Sequence, residues 1–414
     1  MKLFKRRLKA LIAALAVLAA LLCSSCNADQ IEDSQNAAPG KEYSESMRAF
    51  WMTYAEIADI YNRDPSAFSE RLTEIFTDLS AKGFTTAFFH VRAFCDAFYD
   101  SAIFPRSASL SPRGDNAADP LACAVAAAHS AGMALHAWVN PYRVSFSADV
   151  NALPENSPAK RILDAGESER LLITEQGIYL DPSSVANQAL IIDGVREILA
   201  GYAVDGIHID DYFYPASVGD SDAAQYESYT AAGGSLALDD WRRANVNALV
   251  SGLCSAVKSF DAAKVFGVSP GGVIQTNYSA YYADVKTWIQ TPGYCDYIAP
   301  QLYFGFQNAT SGFERQLAAW SELFEGSDVR LYVGLALYKS GREDSYAGSD
   351  EGINEWILND DVIARQIAAI RKNPVCSGFI LFSYGDLVYQ GDNTVKINEA
   401  KAVFAALNEQ NGNG

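Results

Sequence analysis

From Met47 onward, short β-rich apolar runs alternate with helix-patterned stretches, eight of each. The strand candidates are 47–54, 85–92, 134–140, 205–210, 264–270, 296–303, 331–337 and 378–384. The helix candidates lie near 66–82, 120–132, 183–203, 239–259, 279–290, 311–325, 359–372 and 394–408. Asp64-Pro65, Asp119-Pro120 and Asp181-Pro182 each place an N-cap acceptor before a proline suited to a first helical turn. Most of the strands are apolar throughout, as parallel strands covered on both faces are. A hydrophobic content of 49% supplies the large core such an arrangement needs. The fold class expected is α/β, a (β/α)8 TIM barrel with long loops on the C-terminal face. An open doubly wound sheet is the rival, but no glycine-rich nucleotide turn follows the first strand.

The segment before the barrel reads as an address. Lys2, Lys5, Arg6, Arg7 and Lys9 precede an apolar run from Ala10 to Leu22. That run is short for a membrane span, which needs ~20 residues, and suits a signal peptide over 1–25. Ser24-Ser25-Cys26 resembles a lipobox with Cys26 as the lipidated residue, although Cys23 stands where an aliphatic side chain is usual. Ordinary secretion with cleavage near Cys23–Ala28 is the alternative. Residues 26–46 are polar and aperiodic, hence a flexible tether, followed by the barrel over 47–408 and a tail over 409–414. These features predict an exported, membrane-anchored lipoprotein facing the envelope or exterior. A net charge of −18 argues against nucleic acid as a partner. Cys95, Cys123, Cys254, Cys295 and Cys376 form no CxxC pair, which argues against a zinc ribbon and for mostly buried thiols, with one disulfide of unassigned partners open to them in an oxidising compartment.

Strand alternation locates the chemistry. In the fourth strand it aims His208 and Asp210 into the barrel. It does the same for His90 and Arg92 in the second, His136, Trp138 and Asn140 in the third, and Gln301 and Tyr303 in the sixth. Buried polar groups need partners, so such a cluster at the catalytic end of a barrel marks a site, unless it is a bonded network in the core. Asp210-Asp211-Tyr212-Phe213-Tyr214-Pro215 is the most informative segment. Asp210 is the candidate for the reaction centre, while Asp211 would orient a neighbour or hold substrate hydroxyls. Carboxylates among Trp and Tyr suit a sugar, with Trp51, Trp138, Tyr142, Tyr212, Tyr214, Tyr303, Tyr338 and Tyr384 as stacking candidates. Glycoside hydrolysis normally needs a second carboxylate. Asp211, Asp386, Asp96 and Asp181 are the choices, although each of the last three taken alone reads more readily as a cap, an ion-pair partner or a hydroxyl ligand.

The segments MRAFWMTY, FFHVRAFCDAFYDSAIFP, AHSAGMALHAWVNPYR, YLDPSS and VDGIHIDDYFYP together resemble the glycosyl hydrolase-like 10 family, and VSPGGV, DYIAPQLYFGF and GFILFSYGDL continue the pattern. The resemblance covers roughly residues 46–408. It implies a (β/α)8 barrel with glycosidase-like activity on an envelope glycan, the peptidoglycan strand foremost. It also implies that Asp210 is catalytic, with Arg92, Asn140 and Arg143 as substrate contacts. DGIHID more loosely resembles the fourth-strand motifs of α-amylase-like and chitinase-like enzymes. His208 replaces the arginine of the first group and Tyr212 the glutamate acid of the second, so neither mechanism carries over whole.

The leading expectation is therefore a lipid-anchored glycoside hydrolase that needs no cofactor or metal, with a glycan as substrate. A glycan-binding or scaffolding lipoprotein with a decayed site is the second. The third is a metal-dependent hydrolase, such as a deacetylase, using His208, Asp210 and Asp211, against which stand only four His and no HxH or HxxxH spacing.

Overall fold

The computed structural model describes residues 45–112 and 118–408. The signal peptide and nearly all of the tether, Cys26 included, lie outside the described residues, as does the tail after 408. Among the described residues eleven strands occur in chain order: β1 (Met47–Met52), β2 (Thr86–Arg92), β3 (Ala134–Val139), β4 (Arg143–Ser145), β5 (Leu171–Thr174), β6 (Gly177–Leu180), β7 (Gly206–Ile209), β8 (Val265–Val268), β9 (Tyr297–Ile298), β10 (Arg330–Leu335) and β11 (Cys376–Phe382). Eight of them close a parallel barrel in the ring order β1-β2-β3-β7-β8-β9-β10-β11, with β11 paired back onto β1. Each is one of the eight apolar runs, in chain order. The remaining three form an antiparallel sheet, β4-β6-β5, inside the long connection after β3.

Apolar side chains divide by face. Residues such as Phe50, Phe89, Val91, Leu135, Ala137, Ile207 and Ile209 pack outward, in the continuous core that also takes up the helices. Met47, Ala49, Trp51, Phe88, Trp138, Tyr297, Ala299, Tyr332 and Ile380 form a second, smaller core. Their parity on each strand places it inside the ring. Gly267 makes that interior possible, because a Cβ there would fall inside the Tyr297 ring.

Helix starts depart from the sequence expectation in two of three places. Asp119 caps Pro120–Ser130 as expected, accepting from Ala122 N at 2.9 Å. Asp64 instead turns the chain before Phe68–Ala81 by accepting from Ser66 N, and Asp181 does the same with Ser183 N before Val185–Gly201, whose cap is Ser184. Both aspartates prefer the local turn two residues on, which competes with capping. The first strand ends at Met52, not 54, because Thr53 and Glu56 form a capping box that opens the helix Tyr54–Arg63. The stretch expected as one helix over 279–290 is two, Ile274–Ala280 and Val285–Gln290, broken where Tyr282 adopts a φ of 54°. All five cysteines of the barrel are free. No helix among the described residues is long and apolar enough to cross a membrane.

Candidate active site

At the C-terminal end of the barrel, side chains from nearly every strand exit enclose a cavity of about 380 Å³. β1 contributes Trp51 and, just past its end, Thr53 and Tyr54; β2 contributes His90 and β3 Trp138. Arg143 and Phe146 come from β4 and the loop after it, and Asp210, Asp211 and Tyr212 from the exit of β7. Ser269, Gln301, Tyr303, Tyr338 and Phe382 complete the wall. This is the face on which (β/α)8 barrels build their catalytic sites.

The carboxylates stand together. β7 ends at Ile209, so strand alternation no longer separates Asp210 from Asp211, and both line the cavity. Trp138 Nε1 donates to Asp210 Oδ2 at 3.2 Å, and Tyr212 N to Oδ1 at 3.4 Å. Asp210 is only 3% exposed, which leaves it reachable through the cavity and little else. Burial, and secondarily the charge of Asp211, push its carboxyl well above the usual carboxylate range. Burial raises Asp211 as well, against the pull of its bond with Gln301 and of Arg143. Two acids that both resist ionising fit a site in which one carries a proton that the other does not.

Under the cavity lies an uncharged polar floor. Trp51 Nε1, which can only donate, gives its proton to His208 Nε2 at 3.2 Å. His208 therefore carries its own proton on Nδ1 and donates it to the Tyr297 hydroxyl at 2.9 Å, and that hydroxyl donates onward to His136 Nδ1 at 3.1 Å. Burial holds His208 well below its usual range and His136 down at about 4. His208 and His136 thus point inward as alternation predicts, but they lie beneath the cavity and do not line it.

His90 does reach the cavity, stacked on Trp138 with ring centroids 3.7 Å apart. Asn140 fixes its tautomer from behind. The amide nitrogen donates to Ala93 O at 3.1 Å, so the amide oxygen faces His90 and accepts from Nε2 at 3.1 Å. Burial, then Arg143, keep His90 neutral by holding it well below the usual range.

Several other candidates sit elsewhere. A bulge between His90 and Arg92 breaks strand parity, so Arg92 turns outward and lies 4.6 Å over the Phe104 ring. Asp96 accepts from Phe94 N in its own loop. Asp181 is occupied by Ser183. Tyr142 and Tyr214 are buried away from the cavity, and Tyr384 packs against Phe50 on the outer side of β1. Asp386 forms a capping box with Ser383 and an ion pair with Lys396 at 2.5 Å. Among the described residues no three His, Cys, Asp or Glu side chains converge as metal ligands. Thr53, Tyr54, Ser269 and Phe382 were within reach of the strand-exit rule, since each directly ends or follows a barrel strand. Phe146 carries no such signal.

The family model described as glycosyl hydrolase-like 10 matches residues 46–347. Glycosyl hydrolase DigH of Escherichia coli (strain K12) is 30% identical over 412 residues, covering 89% of this chain and 91% of that protein. Glycosyl hydrolase YngK of Bacillus subtilis (strain 168) is 30% identical over 365 residues, covering 82% and 68%. Among solved structures, the PgaB (BpsB) glycoside hydrolase domain from Bordetella bronchiseptica superposes with a TM-score of 0.57 at 13% identity, over 87% of this chain and 98% of that one. α-L-fucosidase isoenzyme 2 from Paenibacillus thiaminolyticus gives 0.55 at 13%, over 90% and 50%. At those identities the structural likeness is one of fold.

Proposed function

This chain belongs to the glycosyl hydrolase-like 10 family, and from that premise we propose that it cleaves O-glycosidic bonds in an envelope glycan, the peptidoglycan strand foremost, with Asp210 and Asp211 as its acid–base pair. The observation that carries this reading is the pair of carboxyls, Asp210 buried and Asp211 half-buried, both raised, in one aromatic-walled cavity. Asp210, whose carboxyl burial pushes well above the usual range, acts as the protonated partner and gives its proton to the departing glycosidic oxygen as the bond to the anomeric carbon breaks. Asp211 faces the developing positive charge and takes a proton from the incoming water, or bonds the sugar directly. Tyr303 and Tyr338, both half-buried, line the cavity as rings on which a pyranose can stack, with the buried indoles of Trp51 and Trp138 behind them. Gln301, held through its amide nitrogen on Ser269 O at 3.1 Å, lines the wall beside Asp211.

Export and lipid attachment at Cys26 form part of the same proposal. They rest on the basic and apolar N-terminal pattern alone. Incubating the purified protein with peptide-free glycan strands should release new reducing ends, and Asp210→Asn should lower that rate by ~10²–10⁴-fold. If no glycan yields product and Asp210→Asn behaves as wild type, the hydrolase reading fails. Tight oligosaccharide binding without turnover would identify a glycan-binding lipoprotein instead. Metabolic labelling with a radioactive fatty acid, lost in Cys26→Ala, tests the anchor.

A further inference from the structure

Among the described residues Arg143 is the one cationic side chain in the cavity wall. It stands on β4, outside the barrel ring, and is held there by aromatic rings on several sides. Its guanidinium carbon lies 3.7 Å from the Tyr212 ring centroid, 4.5 Å from that of Phe146 and 4.6 Å from that of Phe94. Nε leans on Ala93 O at 3.5 Å. Nη1 is shut off from bulk water and has no hydrogen-bond partner. The residue is only 3% exposed, and among the described residues no carboxylate oxygen lies within 4.0 Å of its nitrogens. The other buried cations differ. Arg242 is locked to Asp222 at 2.5 Å, and Lys396 to Asp386 at 2.5 Å. Arg92 also lacks partners on both Nη atoms, but it faces Phe104 and not the cavity.

A buried guanidinium with an idle N–H is costly by itself. Here the side chain that carries it lines the cavity beside Asp210 and Asp211. We propose that Arg143 is a specificity residue that receives a carboxylate carried by one sugar unit of the glycan, so that the cavity selects an acidic saccharide over its neutral analogue. Two features favour a carboxylate over a phosphate or sulfate ester. A guanidinium is a flat fork that matches a single planar monoanion, and a more highly charged group would meet Asp210 and Asp211 across a cavity of about 380 Å³. The rings on Arg143 pre-set its plane, so little rotamer freedom is lost on binding. The inference rests on the glycan reading above for the kind of ligand, and on the unpartnered guanidinium for its charge.

The test uses a peptide-free tetrasaccharide of alternating N-acetylglucosamine and N-acetylmuramic acid, and the same compound with its carboxyls methyl-esterified. Binding is measured by calorimetry, and turnover separately, for the wild type, Arg143→Met and Arg143→Lys. Wild type should bind the free acid at least about tenfold more tightly than the ester. Arg143→Met should erase that difference while keeping its affinity for the ester within about threefold. Arg143→Lys should recover part of the preference. Equal wild-type affinity for acid and ester overturns the proposal, and so does a preference that survives in Arg143→Met. An equal loss of turnover on both compounds in Arg143→Met, without a change in acid-to-ester preference, also overturns it, since Arg143 would then serve Asp210 alone. A preference seen without any cleavage leaves the carboxylate subsite standing while the hydrolase reading falls. Cleavage of both at equal affinity does the reverse.

Discussion

In the proposed reaction Asp210 sets the acid side of the chemistry at the level of a single residue. Its carboxyl is raised mainly by burial, so the protonated form persists above the ordinary carboxylate range. Activity that depends on this proton is present at low pH and lost as pH rises through the raised value. The alkaline limb of kcat/KM should therefore lie above the usual carboxylate pKa, and Asp210→Asn should abolish the limb along with most of the rate. Asn140 makes a second prediction at this scale. It touches His90 and Ala93 O, not the cavity, so it is a positioning residue. Asn140→Ala frees His90 to change tautomer, and it should raise KM several-fold while moving kcat less. Steady-state kinetics on one glycan separates the two. Arg92 shows why part of this site was not legible in the sequence. Alternation placed it inward beside His90, but one extra residue in the strand turned it around, and no residue type near Val91 marks the bulge. Asp211 shows the opposite case. Alternation placed it away from Asp210, and the end of β7 at Ile209 brought it back.

Ring closure depends on how individual elements are tied. Glu56, on the first helical turn after β1, accepts from Thr53 N at 2.7 Å with one oxygen, and from Ser383 Oγ at 2.7 Å and Gly385 N at 2.5 Å with the other. It thus laces the exit of the first barrel strand to the exit of the last. Glu56→Ala leaves several enclosed donors unpaired and should cost about 2–4 kcal/mol, measurable by urea unfolding. Glu399 plays a comparable part for the helix Val362–Arg371, accepting from Val362 N at 2.8 Å and Ile363 N at 2.9 Å. Burial raises this carboxyl to about 7. The folded state then holds a proton that the unfolded state gives up, so stability falls as pH rises from about 4.5 towards 7, by on the order of 3 kcal/mol. Glu399→Gln should flatten that part of the Tm–pH curve. The eight barrel strands were legible because they are apolar on both faces. The β4-β6-β5 sheet was not, because its strands of three or four residues lie inside a long loop and show no sustained period. The helix Tyr54–Arg63 was legible in principle from Thr53-x-x-Glu56, a signal masked by the apolar run that precedes it.

For the molecule as a whole, buried titrating groups pull in opposite directions. His136 is depressed from 6.5 to about 4, so the folded state lacks a proton that the unfolded state binds, and stability falls as pH drops through that window. Glu399 acts in the other sense over much of the same range. Thermal unfolding across pH should therefore place the stability optimum of His136→Gln lower than that of wild type, and the optimum of Glu399→Gln higher. His136 also ends the relay that begins at Trp51. Every link in that relay has spent its only proton in one direction, so no ring in it can be charged without making two donors face each other. Acid should accordingly attack this barrel from its axis outward, with the cavity losing its base before the surrounding helices loosen.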